Sequence, residues 1–307
     1  MSEHPLVSVI VPAFDAERLV SALLDSLLAQ TYPRDRVQII IADNGSRDAT
    51  VERARTRPAT VVIENRRRSS YAARNLGLRE ARGEIMAFTD VDCIADPCWI
   101  ERGVAAMAAT GADLVAGRIR FVLSDPPTGA EAYDALVHMD NESLVRRQGT
   151  AVTANLFVRR AVFGALGEFP VVESGGDALF TRRAVAEGFR LEYCEGAIVD
   201  HPARRLGEML RKSWRVGTAY RLKRQGSASS PAVLALARAL IPPTPGYLRR
   251  LILRRGNERM NSVVIRLGAV AWLYGLTWAL SACVSMFRRA GDTAPGDSPP
   301  AEGHRGH

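Results

Sequence analysis

The stretch that decides the fold is IMAFTDVDCIADP, residues 85–97. It opens as a buried β-strand and then delivers three acids, Asp90, Asp92 and Asp96. Two carboxylates one residue apart repel each other unless something positive lies between them. In extended backbone, residues i and i+2 point to the same side, so TDVD is expected to aim Asp90 and Asp92 into one space while Val91 faces away. Oxygen donors placed this way suit a hard divalent cation, Mg2+ or Mn2+, which keeps part of its shell for phosphate. A pair of solvated loop acids is the bland alternative, and so short a triplet does not exclude it.

Upstream, apolar β-rich runs alternate with helix-period segments. VSVIVPAF, VQIIIAD and TVVIEN read as strands. Between them come a helix over 17–30, with Leu19, Leu23, Leu24, Leu27 and Leu28 on one face, and a helix opening near Ser46. A further helix is expected over 71–82, closed by Gly83. This βαβα series predicts a mostly parallel α/β sheet with flanking helices, whose ligands bind beyond the carboxyl ends of the strands. Asp15, Asp43 and Asp90 all fall where a strand stops. One such acid is ordinarily a helix cap or turn residue. Three on the same sheet edge point to a site.

Downstream, a helix is expected from Pro97 to Gly111, a strand in DLVAGRIRFVL, a helix over 130–147 and a strand in AVTANLFVRR. SGGD, a helix over 177–188 and RLEYCEGAIVDHP complete the body. The chain thus divides into a catalytic body (1–225), a basic, apolar, helical membrane-associated region (226–289) and a disordered tail (290–307) with nothing apolar to bury.

With 307 residues and 47% hydrophobic content, the chain can bury a full core, which excludes disordered and fibrous classes. Cys93, Cys98, Cys194 and Cys283 have neither metal-ligand spacing nor disulfide density and read as ordinary thiols in a reducing compartment. MSEHPLVSVIVPAF has no basic region leading into an apolar run, so no signal peptide is expected and the body is assigned to the cytoplasm. The net charge of +8 is unevenly spread: residues 201–289 carry 17 Lys and Arg against 2 acids. An anionic surface is the expected partner. Arginines joined to Leu and Trp, without stacked-aromatic RNA motifs, favour phospholipid over nucleic acid.

Residues 267–287, LGAVAWLYGLTWALSACVSMF, run for 21 residues without a charge, with six arginines just upstream and two just downstream. Three readings stay open. The segment crosses the bilayer once, leaving the body on the cytoplasmic side. It lies in the interface. Or it packs within the protein or a homo-oligomer, for which Ala271, Gly275 and Ala279 at every fourth position would permit close approach. Trp272, Tyr274 and Trp278 inside the segment weigh against the span.

As a set, VSVIVPAFDAERLVSALLDSLLAQTYP, IIIADNGSRDAT, YAARNLGLREARGE, IMAFTDVDC, TANLFVRRAVFGALGEFP and GGDALFTRRAVAEGF resemble glycosyltransferase family 2, in the family's order, over residues 5–215. The resemblance implies a GT-A fold and a nucleotide-sugar donor, with UDP the commonest base. It further implies that Asp43 contacts the base, that Pro12, Ala13 and Phe14 pack on it, and that Arg74 faces the phosphates. Asp90 and Asp92 would be ribose and metal contacts, Asp177 the catalytic base, and His201 a position that in some relatives approaches the metal. GGDALF replaces the commoner acidic pair, so the Asp177 role rests on position. A His before Pro is also a common structural donor. The implied reaction is one inverting displacement by an acceptor hydroxyl, and relatives with such a tail often use lipid-linked acceptors in envelope or exopolysaccharide assembly. A nucleotidyltransferase would show a Gly-rich basic loop after the first strand, which VPAFDAERL lacks. A processive synthase would carry Q-x-x-R-W, where residues 211–215 read RKSWR.

Overall fold

In a computed structural model, residues 4–220, 242, 244, 246 and 264–287 are described. Strand β1 (Val7–Ala13) leads through helix α1 (Val20–Leu28) to β2 (Val37–Asp43), then through α2 (Thr50–Arg55) to β3 (Thr60–Ile63). Helix α3 (Ser70–Glu80), whose N-cap Ser69 accepts the Tyr71 N–H, connects to β4 (Ile85–Thr89). A two-residue strand β5 (Ile94–Ala95), helix α4 (Trp99–Thr110) and the long β6 (Leu114–Val122) follow. Helices α5 (Gly129–Val137) and α6 (Asn141–Gln148), strand β7 (Asn155–Arg159), helices α7 (Arg160–Leu166) and α8 (Gly176–Ala186), strand β8 (Leu191–Pro202) and helices α9 (Leu206–Tyr220) and α10 (Val264–Phe287) complete the described chain.

The strands form one sheet in the order β3-β2-β1-β4-β7-β6-β8-β5. Its first half is parallel as expected: β1 pairs in parallel with β2 and β4, and β2 with β3. Beyond β4 the sheet is mixed: β7 runs antiparallel to both β4 and β6, β6 pairs in parallel with β8, and β5 is antiparallel to β8, so six of the eight strands share one direction. Alternation along each strand feeds two apolar layers. Val7, Val9 and Val11 meet Leu23, Trp99 and Phe157 on one face. Ile10 and Phe88 meet Leu78, Phe163 and Phe180 on the other.

The helix expected over 130–147 is two helices. Met139 takes a positive φ of 53°, and Asp140 caps α6 by accepting the Ser143 N–H at 3.1 Å. Gly83 is not a helix cap either: a Cβ there would lie 2.5 Å from the Ser8 backbone nitrogen, so the residue serves close approach of chains.

Among the described residues, no helix is long and apolar enough to cross a membrane. Of the three readings of residues 267–287, packing within the protein has contacts among the described residues: Leu267, Val270 and Ala271 of α10 pack with Tyr133 and Leu136 of α5 and Met209 of α9. The contact is tight: a Cβ on Gly217 of α9 would meet the Ser281 hydroxyl and the Trp278 carbonyl, and Ser213 donates to the Tyr274 carbonyl at 2.8 Å. Ala271 and Ala279, read as permitting close helix approach, are buried within the chain. Residues 232–241, AVLALARALI, which read in the sequence as a second apolar contact for the membrane, and the tail 290–307 lie outside the described residues.

Candidate active site

The ends of β2, β1 and β4 stand side by side, so Asp43, Asp15 and Asp90 reach one sheet edge as the sequence pattern predicts. Their roles there differ. Asp43 is buried and bound up with its own loop, its Oδ2 accepting the Gly45 and Ser46 N–H groups at 3.0 and 2.9 Å and its Oδ1 accepting the Ser46 hydroxyl. Asp15 takes a positive φ of 45° and accepts the Arg47 N–H at 2.8 Å, tying the loop after β1 to the loop after β2. Pro12 and Ala13 are buried in β1, beside Ala42 and Asp43, whereas Phe14 is 44% exposed with the Arg68 guanidinium 5.2 Å over its ring. The sequence reading missed Arg68, which lies in the RRRSS run (66–70).

The acid pair needs a correction. Strand β4 ends at Thr89, and Asp90–Val91–Asp92 form a turn closed by the Cys93 N–H donating to the Asp90 carbonyl at 3.1 Å, so the i, i+2 argument for extended backbone does not apply. Asp90 pairs with buried Arg74 at 2.5 Å. Asp92 is directed to His201 instead, its Oδ2 lying 3.6 Å from Nε2. Pairing of β5 with β8, Ile94 against Asp200 and Ala95 against Val199, brings these two together. Burial raises the Asp92 carboxyl above its ordinary value; the charges of His201 and Arg204 oppose the shift and that of Asp90 adds to it. Asp96, the third acid, accepts the Cys98 N–H at 3.1 Å and serves the start of α4.

His201 is 1% exposed, and its Nδ1 lies 2.7 Å from the Pro202 carbonyl, which fixes the proton on Nδ1. Its Nε2 is a buried nitrogen with no hydrogen-bond partner, facing Asp92. An unsatisfied imidazole nitrogen oriented by a backbone carbonyl and facing a carboxylate fits a divalent cation. Cys93 Sγ is the third atom of this cluster, all within 4.8 Å of one another. Burial, then the charges of Asp90 and Asp92, hold its thiol well above the usual pKa, so it is a protonated neighbour.

Asp177 stands at the start of α8. Its Oδ1 accepts the Tyr71 hydroxyl at 3.0 Å and its Oδ2 the Thr153 N–H at 3.3 Å. The departure GGD has a steric reason: a Cβ on Gly176 would lie 2.8 Å from the Pro170 carbonyl and 3.0 Å from the Tyr71 ring. Burial, then the Asp177 charge, push the Tyr71 hydroxyl up, keeping it a donor. Asn75 exchanges two hydrogen bonds with the Phe169 backbone, at 2.8 and 3.0 Å, and so pins the loop before α8 to α3. One helix therefore organises both ends of the site, with Tyr71 and Asn75 serving the Asp177 side and Arg74 serving Asp90.

Beside Asp92 a cavity of about 590 Å³ opens against the basic residues 204–215. Buried Asp134 anchors its rim, accepting the Arg204 N–H at 2.9 Å and its guanidinium at 3.2 Å. His138 Nδ1 lies 2.8 Å from Asp134, and the Tyr274 hydroxyl of α10 3.0 Å from His138 Nε2. Burial alone would raise the Asp134 carboxyl; His138 and Arg204 outweigh it and hold the group well below the usual range.

Comparison with known proteins gives the class of this chain. The sequence profile of Glycosyl transferase family 2 matches residues 8–174. Glycosyltransferase AglE of Haloferax volcanii is 36% identical over 282 residues, covering 88% of this chain and 93% of AglE. The chain belongs to glycosyltransferase family 2. Among solved structures it is similar in fold to mannosyltransferase PcManGT from Pyrobaculum calidifontis in complex with GDP-Man and Mn2+, with TM-score 0.61, 22% identity and coverage of 93% of this chain and 88% of that one. It is also similar to Staphylococcus aureus TarS 1–349 in complex with UDP-GlcNAc, with TM-score 0.53, 17% identity and coverage of 92% and 91%.

Proposed function

We propose that this glycosyltransferase moves a sugar from a nucleotide-sugar donor to an acceptor hydroxyl with inversion, and that Asp177 is its base. The observation that carries this is α3, which presents Tyr71 to Asp177 and Arg74 to Asp90 and so couples a base to the acid pair. Tyr71 and the Thr153 N–H orient the Asp177 carboxylate, which takes the acceptor proton as the hydroxyl attacks the anomeric carbon and the bond to the nucleoside diphosphate breaks. A single displacement inverts that carbon. Phe14 with Arg68 offers a face for the base, beside Pro12, Ala13 and the loop that Asp43 shapes. Asp92 and His201, with Asp90 nearby, would hold Mn2+ or Mg2+, which when bound supplies positive charge for the departing diphosphate.

UDP is the first nucleotide to test, followed by GDP, since similar folds bind UDP-GlcNAc and GDP-Man. The body 1–225 carries catalysis in this reading, and the basic region 226–289 meets phospholipid at the cytoplasmic face of a membrane. The exposed apolar side chains Trp214, Leu273 and Leu280 support that placement. An acceptor in envelope or exopolysaccharide synthesis is in keeping with that placement. Thermal-shift screening with UDP, GDP and dTDP sugars, with and without Mn2+, tests the donor site: one series raises the melting temperature only with metal, and no response from any series refutes it.

A further inference from the structure

The cavity beside Asp92 carries more positive charge than the donor site requires. Glu208, Arg211, Lys212 and Arg215 fall at i, i+3, i+4 and i+7 of α9 and share one face. Met209, Ser213 and Gly217 occupy the face turned to α10. With Arg204 and Arg205 the cavity has five cations, against two acids, Asp92 and Glu208. Arg204 is held by Asp134. The Lys212 ammonium is partly buried and has no hydrogen-bond or ion-pair partner among the described residues. Burial first, and then the Arg204 charge, lower it to about 8, with the Asp134 and Asp177 charges acting the other way. A partly buried ammonium that makes no hydrogen bond is costly unless a ligand supplies one.

We propose that this cavity binds a phosphoryl group carried by the acceptor. The assignment rests on the glycosyl-transfer reading above and names the class of acceptor. Two observations favour the acceptor over the donor. None of Pro12, Ala13, Phe14, Asp43, Arg74 and Asp90, the residues given to the nucleotide, lines the cavity. From Asp92, at the edge of the donor site, its lining continues along α9. A dianion suits the excess of cations better than a single carboxylate, with arginine forks and a lysine point charge dividing its oxygens.

The test is calorimetric titration of the full chain with inorganic pyrophosphate, farnesyl phosphate in detergent and glucose 1-phosphate. Each is measured first in EDTA, then with Mn2+ and saturating nucleoside diphosphate. Pyrophosphate should bind in EDTA and keep its affinity when the nucleotide is present. Lys212→Met and Arg211→Gln should each weaken it about ten-fold while nucleotide affinity stays constant. Tighter binding of farnesyl phosphate identifies a lipid-linked acceptor, and tighter binding of glucose 1-phosphate a soluble sugar phosphate; either supports the cavity. Displacement of pyrophosphate by nucleotide, with parallel loss in the variants, would assign the cavity to the donor diphosphate and overturn the proposal. Absence of pyrophosphate binding in a chain that binds nucleotide overturns it too. A chain that binds pyrophosphate but no nucleotide upholds the cavity and refutes the donor site instead.

Discussion

The Tyr71 hydroxyl lies 3.0 Å from Asp177 Oδ1, although the two residues are 106 positions apart in the chain. The bond fixes one oxygen of the carboxylate and leaves the group able to accept a proton. Asp177→Asn keeps the shape and removes the base. We expect kcat to fall about a hundred- to ten-thousand-fold with donor affinity unchanged. Tyr71→Phe should cost less and leave the pH profile of the base visible. Steady-state kinetics with varied donor separates the two, and an Asp177→Asn enzyme with normal kcat removes the residue from the mechanism.

Gly176→Ala forces a methyl group against the Pro170 carbonyl and the Tyr71 ring. Overpacking of this kind costs about 1–3 kcal/mol, and the displaced Tyr71 should lower kcat as well. Gly164→Ala in α7 meets nothing within 4 Å and is the matched control, expected to be neutral or slightly stabilising. Urea denaturation of both variants gives the comparison.

Asp134 links stability to pH. Its folded-state pKa is depressed by His138 and Arg204 against burial, so its contribution is present above the unfolded carboxylate pKa of about 4 and is lost as pH falls through the folded value. Asp134→Asn should therefore destabilise by roughly 3–5 kcal/mol at neutral pH. The gap from wild type should narrow below about pH 4. Melting temperatures between pH 3 and 8 would show it, and a gap independent of pH would mean that the loss comes from packing.

His201→Ala removes the oriented Nε2 while Asp92 remains. Mn2+ affinity should fall roughly ten- to a hundred-fold, read by calorimetry in the presence of nucleoside diphosphate. Unchanged affinity would return His201 to a structural role beside Phe121, 5.6 Å from its ring.

Much of this architecture is legible in the chain. Repeated strand and helix periods locate β1 to β4, α1 and α3, because each element buries a regular face. The reversal at β7 is not legible, since antiparallel and parallel partners bury the same apolar residues. YAARN is readable as a motif, yet the division of labour within it, Tyr71 and Asn75 toward the Asp177 loop and Arg74 toward Asp90, emerges only in three dimensions. The same holds for Asp92 and His201, which the short pairing of β5 with β8 brings together. Residues 267–287 leave several readings open for a related reason: a charge-free helix looks alike to a bilayer and to the buried faces of α5 and α9, and contacts such as that of Tyr274 with His138 emerge only in three dimensions.

The central claim is tested most directly by nucleoside diphosphate release from a panel of UDP, GDP and dTDP sugars, comparing the wild-type chain with Asp92→Ala. The account predicts release from one donor series that requires Mn2+ or Mg2+ and is abolished in the variant. Release that persists equally in EDTA and in Asp92→Ala, or no release from any donor, would contradict it.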